Sequence, residues 1–102
     1  MFWSTGKSRK DEEMEFSINR TDVTLMQILQ SQNADNASFG MTITEIMEYM
    51  NEIDNAKSRM TIYRRLRMLS ESEYIGKGVL ENHADTFYLT EKGVRALKGV
   101  FE

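Results

Sequence analysis

The apolar periodicity of the chain changes once, near residue 74, and this change limits the folds that the chain can form. Between residues 19 and 72, apolar side chains recur at helical spacing in three stretches separated by polar turns. From Tyr74 to Leu89 the pattern becomes alternating, as in a half-buried pair of strands. We therefore predict an α+β, mostly helical fold with three helices, a two-stranded hairpin and a C-terminal helix.

The predicted helices begin at residues whose side chains can accept hydrogen bonds from free backbone N–H groups. Asn19, Thr42 and Ser58 are typical N-cap residues. An acidic residue three positions later, Asp22 or Glu45, completes a capping box in the first two cases. Helices are therefore predicted to start just after residues 19, 42 and 58.

Apolar residues around the caps support the same helix starts. Ile18 with Val23, and Met41 with Ile46, have the spacing of hydrophobic staples. The second helix has the clearest amphipathic stripe, formed by Ile43, Ile46, Met47, Met50 and Ile53. The stripe of the third helix consists of Ile62, Leu66 and Leu69. These stripes are the predicted core faces.

The alternating region predicts a hairpin followed by a last helix. Its strands are predicted at residues 75–80 and 86–89, joined by a turn at 81–85. Thr90 then caps the C-terminal helix, in which Gly93 is intrinsically unfavourable.

The first eighteen residues do not continue these patterns. They are predicted to be a flexible tail, although Met14, Phe16 and Ile18 alternate with polar residues and leave a short strand or packing arm as an alternative. Residues 19–102 then form the single folded domain, which agrees with a chain of 102 residues.

Composition excludes several classes of small protein. The chain has no cysteine, so it has neither a disulfide framework nor a Cys-based zinc site. No apolar run approaches the roughly 18 residues that a membrane-spanning helix needs. We therefore expect a soluble, cytoplasmic protein without membrane contact.

The element order and two local sequences resemble the winged helix-turn-helix domains of bacterial regulators of the PadR and MarR type. The segment from Ser58 to Leu69, SRMTIYRRLRML, resembles their recognition helix, and FYLTEKG at residues 87–93 is similar to the end of their wing. Residues 41–50 resemble their second helix. The resemblance covers residues 19–101 and implies a DNA-binding transcriptional regulator, with helix 58–72 in the major groove and two copies forming a homodimer.

Two positions depart from the pattern of those regulators. They usually carry glycine where the recognition helix ends, because the backbone there has a positive φ, whereas this chain has Glu73. The predicted wing turn at residues 81–85 is short and slightly acidic, and it has no arginine or lysine. We therefore do not expect this wing to grip a minor groove.

The distribution of charge places an anion-binding surface in the second half of the chain. The net charge is −3, but residues 1–54 carry four basic and ten acidic side chains, whereas residues 55–102 carry nine basic and six acidic ones. Between Lys57 and Leu69 there are five basic side chains and no acidic one. Since DNA is bound by neutralising phosphates with Lys and Arg, this segment is the candidate interface.

A helical wheel sorts the residues of this segment into two roles. The predicted base contacts lie opposite the apolar stripe and are Thr61, Arg64 and Arg67. The predicted DNA backbone contacts are Lys57, Ser58, Arg59, Tyr63, Arg65 and, on the hairpin, Lys77.

Other interpretations of the same residues remain open. The arginines could be a solvated face, or the domain could be a winged helix that contacts another protein and does not bind DNA directly. An enzyme is not expected, because the single histidine, His83, lies in a polar turn and no phosphate-binding loop is present. No cofactor or metal is predicted.

Overall fold

The computed structural model describes residues 18–53 and 57–101, and its elements follow the predicted winged-helix order. The helices are α1 (Arg20–Ser31), α2 (Ile43–Ile53), α3 (Arg59–Glu71) and α4 (Glu91–Phe101). The strands are β1 (Met41–Thr42), β2 (Ile75–Lys77) and β3 (Thr86–Leu89), and a short 3-10 helix spans Ala37–Phe39. The predicted fold class is therefore confirmed.

The helix starts are fixed by the caps that the sequence predicts. The Asn19 side chain accepts from the backbone N–H of Asp22 at 2.8 Å, and the Asp22 carboxylate accepts from the Asn19 N–H at 3.0 Å. Thr42 and Glu45 make the same reciprocal pair at 3.2 and 2.9 Å. Ser58 accepts from the Thr61 N–H at 3.1 Å. Each cap satisfies N–H groups that the first helical turn leaves free.

Helices α1 and α3 end in the same backbone motif. Asn33 (φ 59°) and Glu73 (φ 70°) adopt left-handed backbone just after the C-caps. In α3, the N–H groups of Glu73 and Tyr74 donate to the carbonyls of Ser70 and Leu69, which is the bonding pattern of a Schellman motif. Glu73 therefore occupies the backbone position where the resembling regulators carry glycine.

The sheet is larger than predicted because β1 joins the hairpin. The strand order is β1-β3-β2 and both pairs are antiparallel, with Met41 opposite Phe87 and Ile75 opposite Leu89. The sequence does not predict the two-residue strand β1, because Met41 and Thr42 match only the pattern of a staple and a cap. Two adjacent residues are too few to show a strand period, so their pairing with β3 was not visible in the sequence.

The first hairpin strand is shorter than the predicted 75–80. The N–H of Gly78 still donates to the carbonyl of Thr86 at 2.9 Å, but the next N–H, of Val79, donates to the carbonyl of Ala37 at 3.1 Å. The turn is tighter than predicted, because Glu81 and Ala84 exchange two backbone hydrogen bonds at 2.9 Å around Asn82 and His83. Both central residues have positive φ, as in a type I′ turn.

The core lies where α1 packs against the other three helices and β3. Its fully buried side chains include Leu25, Met26 and Leu29 of α1, Ile46 and Met50 of α2, Ile62, Leu66 and Leu69 of α3, Ile75 of β2, and Phe87 and Leu89 of β3. The predicted apolar stripes of α2 and α3 thus supply core residues, although Ile53 is exposed. This packing leaves the opposite side of α3 in solvent.

The predicted tail lies outside the described residues except for Ile18, which packs partly buried against the core. In the described part of the chain, no helix is both long and apolar enough to cross a membrane.

Candidate nucleic-acid interface

The exposed side of α3 carries two arginines one turn apart. The Arg67 side chain is 67% exposed, and Arg64 is also exposed, whereas Ile62, Leu66 and Leu69 are completely buried. Met60 lies on the same outer side and is 65% exposed. The structure therefore brings Arg64 and Arg67 together on one surface that is free to meet a partner.

The two outer arginines are weakly held or not held by the rest of the described chain. Arg67 forms an i,i+4 ion pair with Glu71 at 3.7 Å, and both side chains are more than two-thirds exposed. An exposed ion pair of this kind contributes little to the stability of the protein, so it can open at a small cost in free energy. No hydrogen bond or ion pair joins Arg64 to another described residue. Both guanidinium groups can therefore reorient toward a ligand.

The start of α3 presents polar groups next to its free N–H groups. The Ser58 hydroxyl donates to the Thr61 hydroxyl oxygen at 3.0 Å, which leaves the Thr61 O–H available to donate elsewhere. Arg59 donates to the Thr44 hydroxyl at 3.2 Å, and this contact joins the start of α3 to α2. The positive end of the helix dipole lies here, so the region favours an anion.

Tyr63 and Lys77 lie at the margins of this surface. Tyr63 is 39% exposed on the flank of α3. Lys77, at the end of β2, forms an ion pair with Asp85 across the hairpin at 3.7 Å. Beyond Lys77 the wing offers acidic and apolar groups, since Glu81 is exposed and Val79 and Leu80 are 59% and 62% exposed.

Arg65 pairs with a buried carboxylate of α1. Its guanidinium donates from Nε to Oδ1 of Asp22 at 2.8 Å and from Nη2 to Oδ2 of the same carboxylate. The Asp22 side chain is completely buried and the Arg65 side chain is only 18% exposed. The hydrogen bonds to Asp22 raise the pKa of Arg65 above its ordinary value, although partial burial opposes this.

The contact of Arg65 with the DNA backbone stays a prediction, and the geometry of the Asp22 pair argues against it. Moving the guanidinium out to a phosphate would leave the buried carboxylate of Asp22 without its partner, which is a strongly unfavourable state. In the sequence, Asp22 is recognisable only as part of a cap. Its pairing with Arg65 joins residues 43 positions apart, and no local pattern indicates such a contact.

Comparison with solved structures finds proteins that share this architecture at low sequence identity. TubR from Bacillus megaterium pBM400 has a TM-score of 0.68 and is 18% identical, with 95% of this chain and 99% of TubR covered. The protein in the complex structure of hsRosR-S4 has a TM-score of 0.67 and is 13% identical, with 89% of this chain and 72% of that chain covered. A protein from Ralstonia eutropha JMP134, named as a candidate DNA-binding protein, has a TM-score of 0.63 and is 15% identical, with 84% of this chain and all of that chain covered.

No protein-family model matches the chain, and no curated protein matches it in sequence. At these identities the structural likeness shows a shared winged-helix fold.

Proposed function

We propose that this chain binds double-stranded DNA in a sequence-specific manner, as a bacterial or phage transcriptional regulator that inserts α3 into the major groove. The observation that carries the proposal is the outer face of α3, where Arg64 and Arg67 are exposed one turn apart. Residues 57–69 contain no acidic side chain, and Glu71 at the end of the helix is held only in the exposed pair with Arg67. An α-helix fits the major groove of B-DNA, and arginine forks there can bind guanine through O6 and N7.

The exposed groups divide into two kinds of contact. In the proposed complex Arg64, Arg67 and the Thr61 hydroxyl, which can still donate its O–H, contact base edges. The proposed backbone contacts are Lys57, Ser58, Arg59, Tyr63 and Lys77. Arg65 is left out because Asp22 holds it.

The structural relatives support this proposal through their fold, and one of them is named as a candidate DNA-binding protein. The likeness to PadR and MarR regulators stays a prediction, because none of these comparisons concerns that family. We also propose that two copies bind together as a homodimer, since one such helix contacts only a few base pairs.

The decisive experiment is a DNA-binding titration at several salt concentrations, on duplexes selected from a random library. Wild type is compared with the double variant Arg64→Ala and Arg67→Ala. Arg95→Ala is the matched control, because Arg95 forms an i,i+4 pair with Glu91 at 3.8 Å on α4 and is exposed to the same degree as Arg67. We expect the double variant to lose at least about 2 kcal/mol of binding free energy on the selected duplex, and the control to lose much less.

Single variants separate base contacts from phosphate contacts. Arg64→Ala should relax the sequence preference, whereas Arg59→Ala should weaken binding to all duplexes alike and reduce the salt slope by about one unit. If wild type binds no duplex at low salt, or if the double variant binds like wild type, the proposed function is wrong. A protein partner that binds independently of these arginines would then favour the protein-contact alternative.

A further inference from the structure

The carboxylate of Asp22 joins two elements that the proposed DNA interface depends on. It accepts the Asn19 N–H at the start of α1, at 3.0 Å, and two N–H groups of Arg65 in the middle of α3. Asp22 is completely buried, so it cannot touch DNA itself. Its position is nevertheless directly behind the helix that carries the proposed base contacts.

The contact between Asp22 and Arg65 differs in kind from the apolar contacts that hold α3, and it is buried, unlike the exposed hydrogen bond from Arg59 to Thr44. Ile62, Leu66 and Leu69 bury apolar surface, and such burial is non-directional. A guanidinium that donates two N–H groups to one carboxylate has a preferred planar geometry. The apolar contacts therefore hold α3 against the core, whereas the pair restricts its rotation about its own axis.

Rotation of α3 decides where its outer arginines point. Arg64 and Arg67 lie on either side of Arg65 in the sequence, on the same rigid helix. A rotation of about 15° moves atoms about 6 Å from the helix axis by about 1.5 Å. Binding groups must be held to within about 0.5 Å of their productive geometry, so a shift of this size is large enough to lose a bidentate contact.

We propose that Asp22 is a positioning residue, which acts through Arg65 to set the rotation of α3 and thereby the sequence preference of the bound DNA. The inference rests on the proposed function and adds a determinant of specificity that lies outside the DNA contact surface. It assigns to Asp22 an effect on discrimination between duplexes that is separate from its effect on stability.

The test measures discrimination, defined as the ratio of the dissociation constants for a scrambled duplex and for the selected duplex. Asp22→Asn keeps the shape and the acceptor for Asn19 but removes the charge that Arg65 pairs with. The double variant Asp22→Asn with Arg65→Met removes both buried charges, which restores stability without restoring the planar pair. Glu91→Gln, which breaks the exposed pair with Arg95, is the control.

All ratios are measured at a temperature at which circular dichroism shows each variant fully folded. We expect Asp22→Asn to lower the ratio at least about 5-fold, the lower end of the discrimination of one arginine-guanine contact, with an unchanged salt slope. The double variant should regain melting temperature but not the ratio, and Glu91→Gln should keep the wild-type ratio. If Asp22→Asn does not fold, Arg65→Lys keeps the charge, loses the fork and should show the same fall.

Two results would overturn the positioning role alone. In the first, wild type prefers the selected duplex and the folded Asp22→Asn or Arg65→Lys variant keeps the full ratio. In the second, the ratio recovers in the double variant together with its melting temperature, so that Asp22 serves stability only. A wild-type protein with no preference for any duplex would instead refute the proposed function first, and the positioning role with it.

Discussion

At the scale of single residues, α1 and α3 end with the same left-handed backbone geometry, but the residues that adopt it tolerate that geometry to different degrees. Asn33 and Glu73 both have positive φ within Schellman motifs. Asparagine tolerates left-handed backbone better than most residues, because its short polar side chain can bond locally. Glutamate has no such compensation, so the end of the proposed recognition helix stores some strain.

Replacing Glu73 by glycine should therefore stabilise the protein. Left-handed backbone costs a residue with a Cβ atom about 1–2 kcal/mol, and the greater freedom of glycine in the unfolded chain offsets part of the gain. We expect Glu73→Gly to raise the free energy of unfolding by about 0.5–1 kcal/mol, measured by urea denaturation. Asn33→Gly is the matched control, with an expected change near zero; equal effects of the two substitutions would contradict the explanation.

At the scale of elements, α4 contains two glycines whose surroundings are opposite. A Cβ built on Gly93 would lie 2.3 Å from the carbonyl oxygen of Tyr74 and 2.5 Å from Cδ1 of Leu89. Around Gly99 nothing lies within 4 Å of the same position. Gly93 looks like a weakness in the sequence because glycine disfavours helix, but here it allows α4 to approach the backbone that leaves α3.

The same substitution at these two positions should therefore have effects of opposite sign. Gly99→Ala should stabilise the protein by about 0.5–1 kcal/mol through helix propensity alone. Gly93→Ala gains the same propensity but must displace a backbone atom, and we expect a net loss of about 1–3 kcal/mol. Thermal unfolding followed by circular dichroism measures the stability of both variants. A higher melting temperature for Gly93→Ala would show that α4 does not pack closely against Tyr74 and Leu89.

The features that were predicted from the sequence join residues close together in the chain, whereas the missed features join residues far apart in it. The caps at Asn19, Thr42 and Ser58 were predicted because cap and partner lie within three residues. The outer face of α3 followed from helical spacing. Strand β1, the Asp22–Arg65 pair and the contact of Gly93 with Tyr74 each depend on residues brought together only by folding, so sequence spacing could not show them.

At the scale of the whole molecule, the distribution of charge limits how the protein can approach DNA. Residues 1–54 have a net charge of −6 and residues 55–102 a net charge of +3. Glu48 and Glu52 are exposed on α2, and Glu81 is exposed on the wing. In the proposed complex these surfaces repel phosphate, so binding depends on the face of α3 and should weaken steeply with added salt.

This limited surface also predicts the stoichiometry of the proposed complex. With 13 residues, α3 is about 20 Å long and contacts only a few base pairs. Two arginine contacts each discriminate by about 1–3 kcal/mol, whereas specific sites are typically favoured by about 4–10 kcal/mol over random DNA. A second copy bound to the other half of a symmetric site supplies the remaining free energy of discrimination. We therefore expect sedimentation of a labelled selected duplex to give two protein chains per duplex, and a duplex with one scrambled half-site to bind much more weakly; one chain per duplex with equal affinity for both would refute the dimer.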